Sequence, residues 1–290
     1  MKNKPISVNY FFSRVCNYSC KFCFHYNSNN FHLNIEDAKK GLKKLKDAGM
    51  EKITFSGGEP FLYKNHLHEL IKYCKEELFL ESISIVSNGS LITEEWIIEN
   101  SHFVDMLTIS CDSFIEANNL EIGRGQGNQV QILNNCWKFC NDHNILFKIN
   151  TVVNKVNFNE QMVQKIILLK PYRWKCFQLL LINGENINTE NNLDAQSLHI
   201  NDTEFGFFQS LNKGFKDTIF ESNMTMRNSY YLLDEKMRFL DCSSGSKIPS
   251  RSILQVGVNE ALQQVFFDEE QFLSRKGIYD WSKKKSICSN

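Results

Sequence analysis

The chain of 290 residues is 42% hydrophobic and 23% charged, with 33 basic side chains against 33 acidic ones. A chain of this length buries about three quarters of its unfolded surface, which excludes both a disulfide-stapled miniprotein and a disordered tail. A net charge of zero excludes a globally basic nucleic-acid binder and confines any polyanion site to a local cluster.

From Met1 to Ser13 there is no apolar core followed by a small-residue cleavage site, so no secretion signal is expected. No stretch approaches ~18 consecutive apolar residues, so a cytosolic, membrane-free protein is expected. In a reducing compartment the ten cysteines read as buried thiols, metal ligands or catalytic groups.

Apolar, β-branched runs recur at Ile6–Phe12, Lys52–Phe55, Ser82–Ser87, Met106–Cys111, Leu146–Val153 and Trp174–Ile182. Most are too continuous for strands with one wet face and read as buried parallel strands. Helical patterns alternate with them at Ile35–Ala48, Leu67–Glu77, Glu94–Glu99, Gln129–Asn141 and Glu160–Leu169. In the first, Ile35, Ala38, Leu42, Leu45 and Ala48 share a face and Gly49 follows as a stop. The fold class is therefore α/β, and the alternation fits a partial parallel barrel better than an open sheet. Residues 1–182 form that barrel, and residues 183–290, which begin with an Asn-rich loop, form an extension packed on it as part of one structural unit.

After the first strand comes Cys16-Asn-Tyr-Ser-Cys20-Lys-Phe-Cys23. Three thiolates in this spacing on one short loop suit three irons of a [4Fe–4S] cube, leaving the fourth open for another ligand. A zinc site with His25 as nearest fourth ligand, or three unrelated core cysteines, are the other readings. The remaining cysteines (74, 111, 136, 140, 176, 242 and 288) form no second cluster of this kind, so one cluster is expected.

Ser56-Gly57-Gly58-Glu59-Pro60 closes the second strand, where glycines permit close backbone approach to a ligand. By itself such a segment is also an ordinary strand-to-helix turn. Asn88 after strand three and Ser110 at the end of strand four lie where a barrel presents polar groups to its ligand. The glycines around Arg124 lack the spacing and terminal Lys-Ser/Thr of a phosphate loop; Arg124 itself suits a cofactor carboxylate, held bidentately. Lys148 and Lys175 lie inside apolar strands, so each needs an internal acid or an anionic ligand.

The thiol spacing, the aromatic Phe24 after it and the Gly57-Gly58-Glu59-Pro60 segment resemble the radical S-adenosylmethionine superfamily. Longer strings narrow the resemblance to its viperin family: Ser7–Tyr10, Phe22–His25, Ala48–Ile53, Phe55–Leu62, Ser84–Leu91, Ile109–Phe114, Ile122–Gly127, Phe147–Asn150, Arg173–Lys175 and Met237–Leu240. The resemblance runs from about Ile6 to Ser282. It implies a (β/α)6 partial barrel with a [4Fe–4S] cluster on Cys16, Cys20 and Cys23. S-adenosylmethionine would lie against Gly57, Gly58, Glu59, Asn88, Ser110 and Arg124.

By the same resemblance the adenosyl radical removes the C4′ hydrogen of a nucleoside triphosphate and the 3′-hydroxyl leaves as water. The product is a 3′-deoxy-3′,4′-didehydro nucleotide that terminates viral chains. Lys52, Lys148, Arg173 and Lys175 match the triphosphate-binding positions, with Arg275 and Lys276 in a C-terminal stretch that closes over nucleotide. Asn9, Thr54 and Asn150 complete the substrate set, and Tyr230 matches a tyrosine placed to give a hydrogen or proton. An electron donor such as flavodoxin or ferredoxin is implied, and a monomer is expected.

The match has departures. The animal family's N-terminal amphipathic helix and terminal tryptophan have no counterpart, which favours a free cytosolic enzyme of prokaryotic or other unanchored type. Phe11 and Thr54 stand where the animal enzyme acting on cytidine triphosphate has histidine and asparagine, so the base is left between CTP, placed first, and UTP. A radical enzyme acting on another metabolite or a peptide, and a non-catalytic antiviral scaffold, are the alternatives.

Overall fold

The computed structural model describes residues 4–25, 29–189 and 193–283. The expectations about Cys288 and the chain's last residues lie outside them.

Six parallel strands form first: β1 (Ser7–Phe11), β2 (Lys52–Ser56), β3 (Ser82–Ser87), β4 (Met106–Ser110), β5 (Leu146–Val153) and β6 (Arg173–Gln178). Between them run α1 (Ile35–Asp47), α2 (Lys64–Glu76), α3 (Glu94–Asn100), α4 (Glu116–Glu121), α5 (Gln129–Asp142) and α6 (Val163–Leu169). Helix α1 has each terminal signal its sequence carries. The Asn34 side chain caps it by accepting from Asp37 N, Glu36 and Asp37 occupy its positive end, and Lys44 and Lys46 its negative end. Gly49, at φ 103°, then turns the chain into β2.

The last third adds α7 (Asp202–Leu211), β7 (Thr218–Glu221), β8 (Tyr231–Leu233), β9 (Arg238–Asp241) and β10 (Ile248–Ser252). These strands join the same sheet, in the order β10-β9-β8-β1-β2-β3-β4-β5-β6-β7. Strand β7 extends the parallel run beside β6, and β8 lies parallel to β1. Strands β9 and β10 pair antiparallel at one end. The sheet does not close: β10 and β7 end the order, and the architecture is the expected α/β partial barrel.

The strands alternate more strictly than their apolar composition indicates. One face of β5 carries Phe147, Ile149 and Val153, which join Ile53, Phe55, Ile83, Ile85, Leu107 and Trp174 in the core against Leu42, Leu70 and Leu133 of the helices. Burying each such side chain contributes roughly 1.5–3 kcal/mol. The other face of β5 carries Lys148 and Asn150, in register with Thr108 and Ser110 on β4 and with Arg173 and Lys175 on β6. Asn9 on β1 is in register with Thr54 on β2. In-register neighbours of a parallel sheet point to one side, so these polar side chains share the lumen face opposite the helices.

Candidate active site in the barrel lumen

The thiol loop leaves β1 and is clamped by backbone. Gly58 N donates to Ser13 O at 2.8 Å and Glu59 N to Val15 O at 2.8 Å. A Cβ added at Gly58 would lie 2.0 Å from Val15 O, and one at Gly123 would lie 2.3 Å from Ser19 O. Gly57, at φ 152°, would bring a Cβ to 2.4 Å from Ser13 O. These glycines are therefore required by the thiol loop itself. Glu59 is buried, and its carboxylate accepts from Ser87 Oγ at 2.7 Å, Asn88 N at 2.8 Å and Phe61 N at 3.1 Å. Its oxygens hold the ends of β2 and β3 together, and burial raises its pKa.

Asn88 Nδ2 lies 3.9 Å from the Cys16 sulfur and 2.9 Å from Asn17 Oδ1. Arg124 is buried and donates to Asp112 at 2.6 Å, an acid not anticipated as its partner. Ser110 gives its carbonyl to Gln129 Nε2 at 2.9 Å.

The donor set suits an iron–sulfur cube. Burial pushes the Cys16 thiol up to about 11 and Cys20 up to about 12, while Arg124 pulls both the other way. Thiols so placed become ligands when a metal replaces the proton. Among the described residues no three His, Cys, Asp or Glu side chains are gathered tightly enough to hold a single ion. A cube places its own irons and sulfides between the thiolates and tolerates a wider set. His25, the fourth ligand in a zinc reading, is buried with Nδ1 3.1 Å from Lys247 Nζ and its ring 4.7 Å from that of Phe11.

Lower in the lumen the predicted cations converge. Lys52, Arg173, Lys175 and Arg275 are buried. Lys148 is partly buried and has no hydrogen bond or ion pair among the described residues. Burial, then Lys175, Lys52 and Arg173, drive its pKa far below the usual lysine value. The question left open for Lys175 resolves differently: it pairs with Glu221, a buried carboxylate that sequence reasoning missed. Tyr230 donates to Glu221 at 2.5 Å and accepts from Lys175 Nζ at 2.9 Å. Arg275 stacks 3.6 Å from the centre of the Tyr230 ring and lies 3.7 Å from Glu221.

Two further features were not anticipated. Among the described residues the buried Thr108 Oγ1 and the Asn150 side-chain oxygen have no hydrogen-bond partner, and both lie on the lumen face. The segment 275–283 runs beneath the starts of the strands as a strap. Lys52 donates to Tyr279 at 2.8 Å, Ser82 to the Trp281 carbonyl at 3.1 Å, Arg173 to the Lys276 carbonyl at 3.1 Å, and Lys283 to the Ser101 carbonyl at 2.6 Å. Lys276 thus contributes its backbone here.

Comparison with known proteins bears on this geometry. Residues 10–194 match the Radical SAM superfamily model. The chain is 51% identical over 283 residues to an S-adenosylmethionine-dependent nucleotide dehydratase RSAD2 of Danio rerio, covering 96% of this chain and 79% of that protein. It is 34% identical over 286 residues to an S-adenosylmethionine-dependent nucleotide dehydratase of Flammeovirga pacifica, covering 95% and 96%. Among solved structures, Streptococcus suis SuiB bound to S-adenosylmethionine superposes with TM-score 0.65 at 16% identity, covering 93% of this chain and 68% of that one, a likeness of fold.

Proposed function

This chain belongs to the radical S-adenosylmethionine superfamily and, within it, to the viperin-like nucleotide dehydratases, and from that premise we propose a role for each part of the lumen. The protein is a radical S-adenosylmethionine enzyme that dehydrates a nucleotide. Cys16, Cys20 and Cys23 hold the [4Fe–4S] cluster, and Gly57, Gly58, Asn88, Ser110 and Arg124 surround the cofactor, with Glu59 bracing its loop. Bound there, cluster and cofactor together supply the electron and the adenosyl radical that removes the ribose hydrogen.

Lys52, Lys148, Arg173, Lys175 and Arg275 hold the triphosphate, while Asn9, Thr54 and Asn150 line the nucleoside. Tyr230 delivers a hydrogen or proton as the 3′-hydroxyl departs, and Glu221 keeps its phenol aimed. The product is the 3′-deoxy-3′,4′-didehydro nucleotide, with CTP favoured over UTP as substrate. Flavodoxin or ferredoxin is the class of donor, and the chain works as a monomer. The barrel of residues 1–182 and the extension of 183–290 form one unit, in keeping with a shared sheet.

The observation that carries the substrate reading is Lys148, a lumen-facing lysine beside Lys52, Arg173 and Lys175 that makes no ion pair among the described residues. Such a group is costly unless an anion joins it. The test is anaerobic incubation of the reconstituted, reduced protein with S-adenosylmethionine and CTP, UTP, GTP or ATP in separate tubes. Stimulated 5′-deoxyadenosine release by one nucleotide, with a product lighter by one water, is expected. Slow and equal release in every tube contradicts the nucleotide assignment.

A further inference from the structure

The thiol loop is gripped from behind by charges of the C-terminal extension. Arg14, ahead of Cys16, pairs with Glu185 at 3.0 Å and with Glu235 at 3.2 Å. Beyond Cys23, Lys247 Nζ donates to the Phe24 carbonyl at 2.5 Å and to His25 Nδ1 at 3.1 Å, and it lies 3.3 Å from Glu185. The Glu185 carboxylate therefore meets cations on both flanks of the thiol loop. Asn186, beside it, donates to the Phe22 carbonyl at 3.1 Å, so the Asn-rich loop backs directly onto the thiols.

The Lys247 side chain is 4% exposed and that of Glu185 11%, so little water screens their charges. Burial lowers the Lys247 pKa, and Glu185 raises it in turn. Three acceptors meet Nζ, one for each N–H of an ammonium, and a neutral amine has one N–H too few. Lys247 is therefore held as its cation. Burial, then Lys247 and Arg14, keep the His25 ring neutral, with Nδ1 free to accept. Cys23 feels both members of the pair. Burial raises its pKa, the His25 backbone N–H, Lys247 and Arg124 lower it, and Glu185 raises it. An added electron makes a cluster and its thiolates more negative, so a nearby cation favours the reduced state and a carboxylate the oxidised one.

We propose that Lys247 and Glu185 are positioning residues that set the reduction potential of the [4Fe–4S] cluster. The lysine holds Phe24 and His25 against Cys23 and raises the potential, while the carboxylate anchors the lysine and opposes it in charge. The inference rests on the assignment of the cluster to Cys16, Cys20 and Cys23. One electron comes from the flavodoxin- or ferredoxin-class donor and passes on to the sulfonium of S-adenosylmethionine. The pair thus decides how far a given donor fills the cluster.

The test is anaerobic redox titration of the reconstituted protein, with the reduced cluster followed by electron paramagnetic resonance. Lys247→Met should leave the cluster about tenfold harder to reduce, a fall of about 59 mV for one electron, with iron and sulfide content kept. Glu185→Gln should move the midpoint upward. A loosened loop that only admits water shifts both variants in one direction, so shifts of the same sign, or none, overturn the proposal. If Lys247→Met takes up no iron, Glu185→Gln decides alone, and a midpoint unchanged or lowered overturns it. Failure of the underlying assignment looks different: Cys23→Ala would then load iron and sulfide as fully as the unaltered protein, and assignment and proposal fall together.

Discussion

The Lys52 ammonium donates a 2.8 Å hydrogen bond to the Tyr279 phenol and lies 4.7 Å from the centre of its ring. Arg173 covers the same ring at 3.6 Å, so one aromatic side chain of the strap steadies cations from β2 and β6. Tyr279→Phe removes the hydrogen bond and leaves the ring, and should raise the KM for nucleotide several-fold, about 1 kcal/mol. Tyr279→Ala also removes the ring and should cost about 1–2 kcal/mol more, with kcat less affected. Steady-state kinetics on both variants checks this, and equal KM values would show that the strap does not hold the phosphate-binding cations.

Lys148 should oppose stability in order to serve binding. Replacing it by methionine removes an amine whose charged form burial and the neighbouring cations disfavour, and keeps most of the side chain's length. The ligand-free Lys148→Met protein should be more stable by about 1–2 kcal/mol, seen as a rise in Tm. Nucleotide affinity should fall by about a hundredfold or more in the same variant, from loss of a charge-assisted contact. Thermal melts with and without nucleotide separate the two effects, and a lowered ligand-free Tm would contradict the argument.

Binding should take up protons. Burial, partly offset by Glu221, brings the Lys175 ammonium down to about 7, and Lys148 is lowered as well. A bound triphosphate favours the charged forms and raises both values. Below about 7 Lys175 is already charged and affinity is not limited by it; above 7 the proton must be acquired on binding, so affinity falls as pH rises. Calorimetry at pH 8 in buffers of different ionisation enthalpy should show uptake of about one to two protons. Stability of the ligand-free protein follows the opposite sign. Between about 7 and the unfolded value of 10.5 the unfolded chain binds more protons, so stability rises with pH over that window.

Gly58→Ala should cost the cluster more than the fold. Its Cβ would meet Val15 O at 2.0 Å, and that backbone leads directly into Cys16. Iron and sulfide content after reconstitution should fall sharply while far-ultraviolet circular dichroism is kept. Gly184→Ala is the control: at φ +80° with nothing within 4 Å of the new Cβ, it should cost about 1 kcal/mol of backbone strain and leave iron content unchanged. Equal iron loading in both variants would remove the clamp from the account.

The first six strands and five of their helices were legible because apolar runs and turn signals are dense there. Strands β3 and β5 match their sequence-based bounds, while β6 begins at Arg173 and ends at Gln178, short of Ile182. The alternation within them was obscured because the polar face is buried too, so Ser84, Thr108 and Lys148 interrupt an apolar run without marking a wet surface. Strands β7 to β10 are three to five residues long and of mixed composition, too short for periodicity to register. Glu221 ends one of them, and its pairing with Lys175 joins positions 46 residues apart. The thiols and glycines stood out by type and spacing, Lys148 and Lys175 by lying inside apolar strands, and Lys52, Arg173 and Arg275 through the family resemblance. Asp112, Glu221, Thr108 and Tyr279 became visible through their neighbours.

The strap that passes under Lys52, Ser82 and Arg173 also ties distant parts of the chain together. Its bonds reach back 227, 199 and 103 residues to the starts of β2, β3 and β6. Contacts of such separation carry a large loop-closure cost and form once the strands they join are in place. The lower lumen is therefore completed by the end of the chain, and a truncation ahead of residue 275 would loosen the starts of three strands at once.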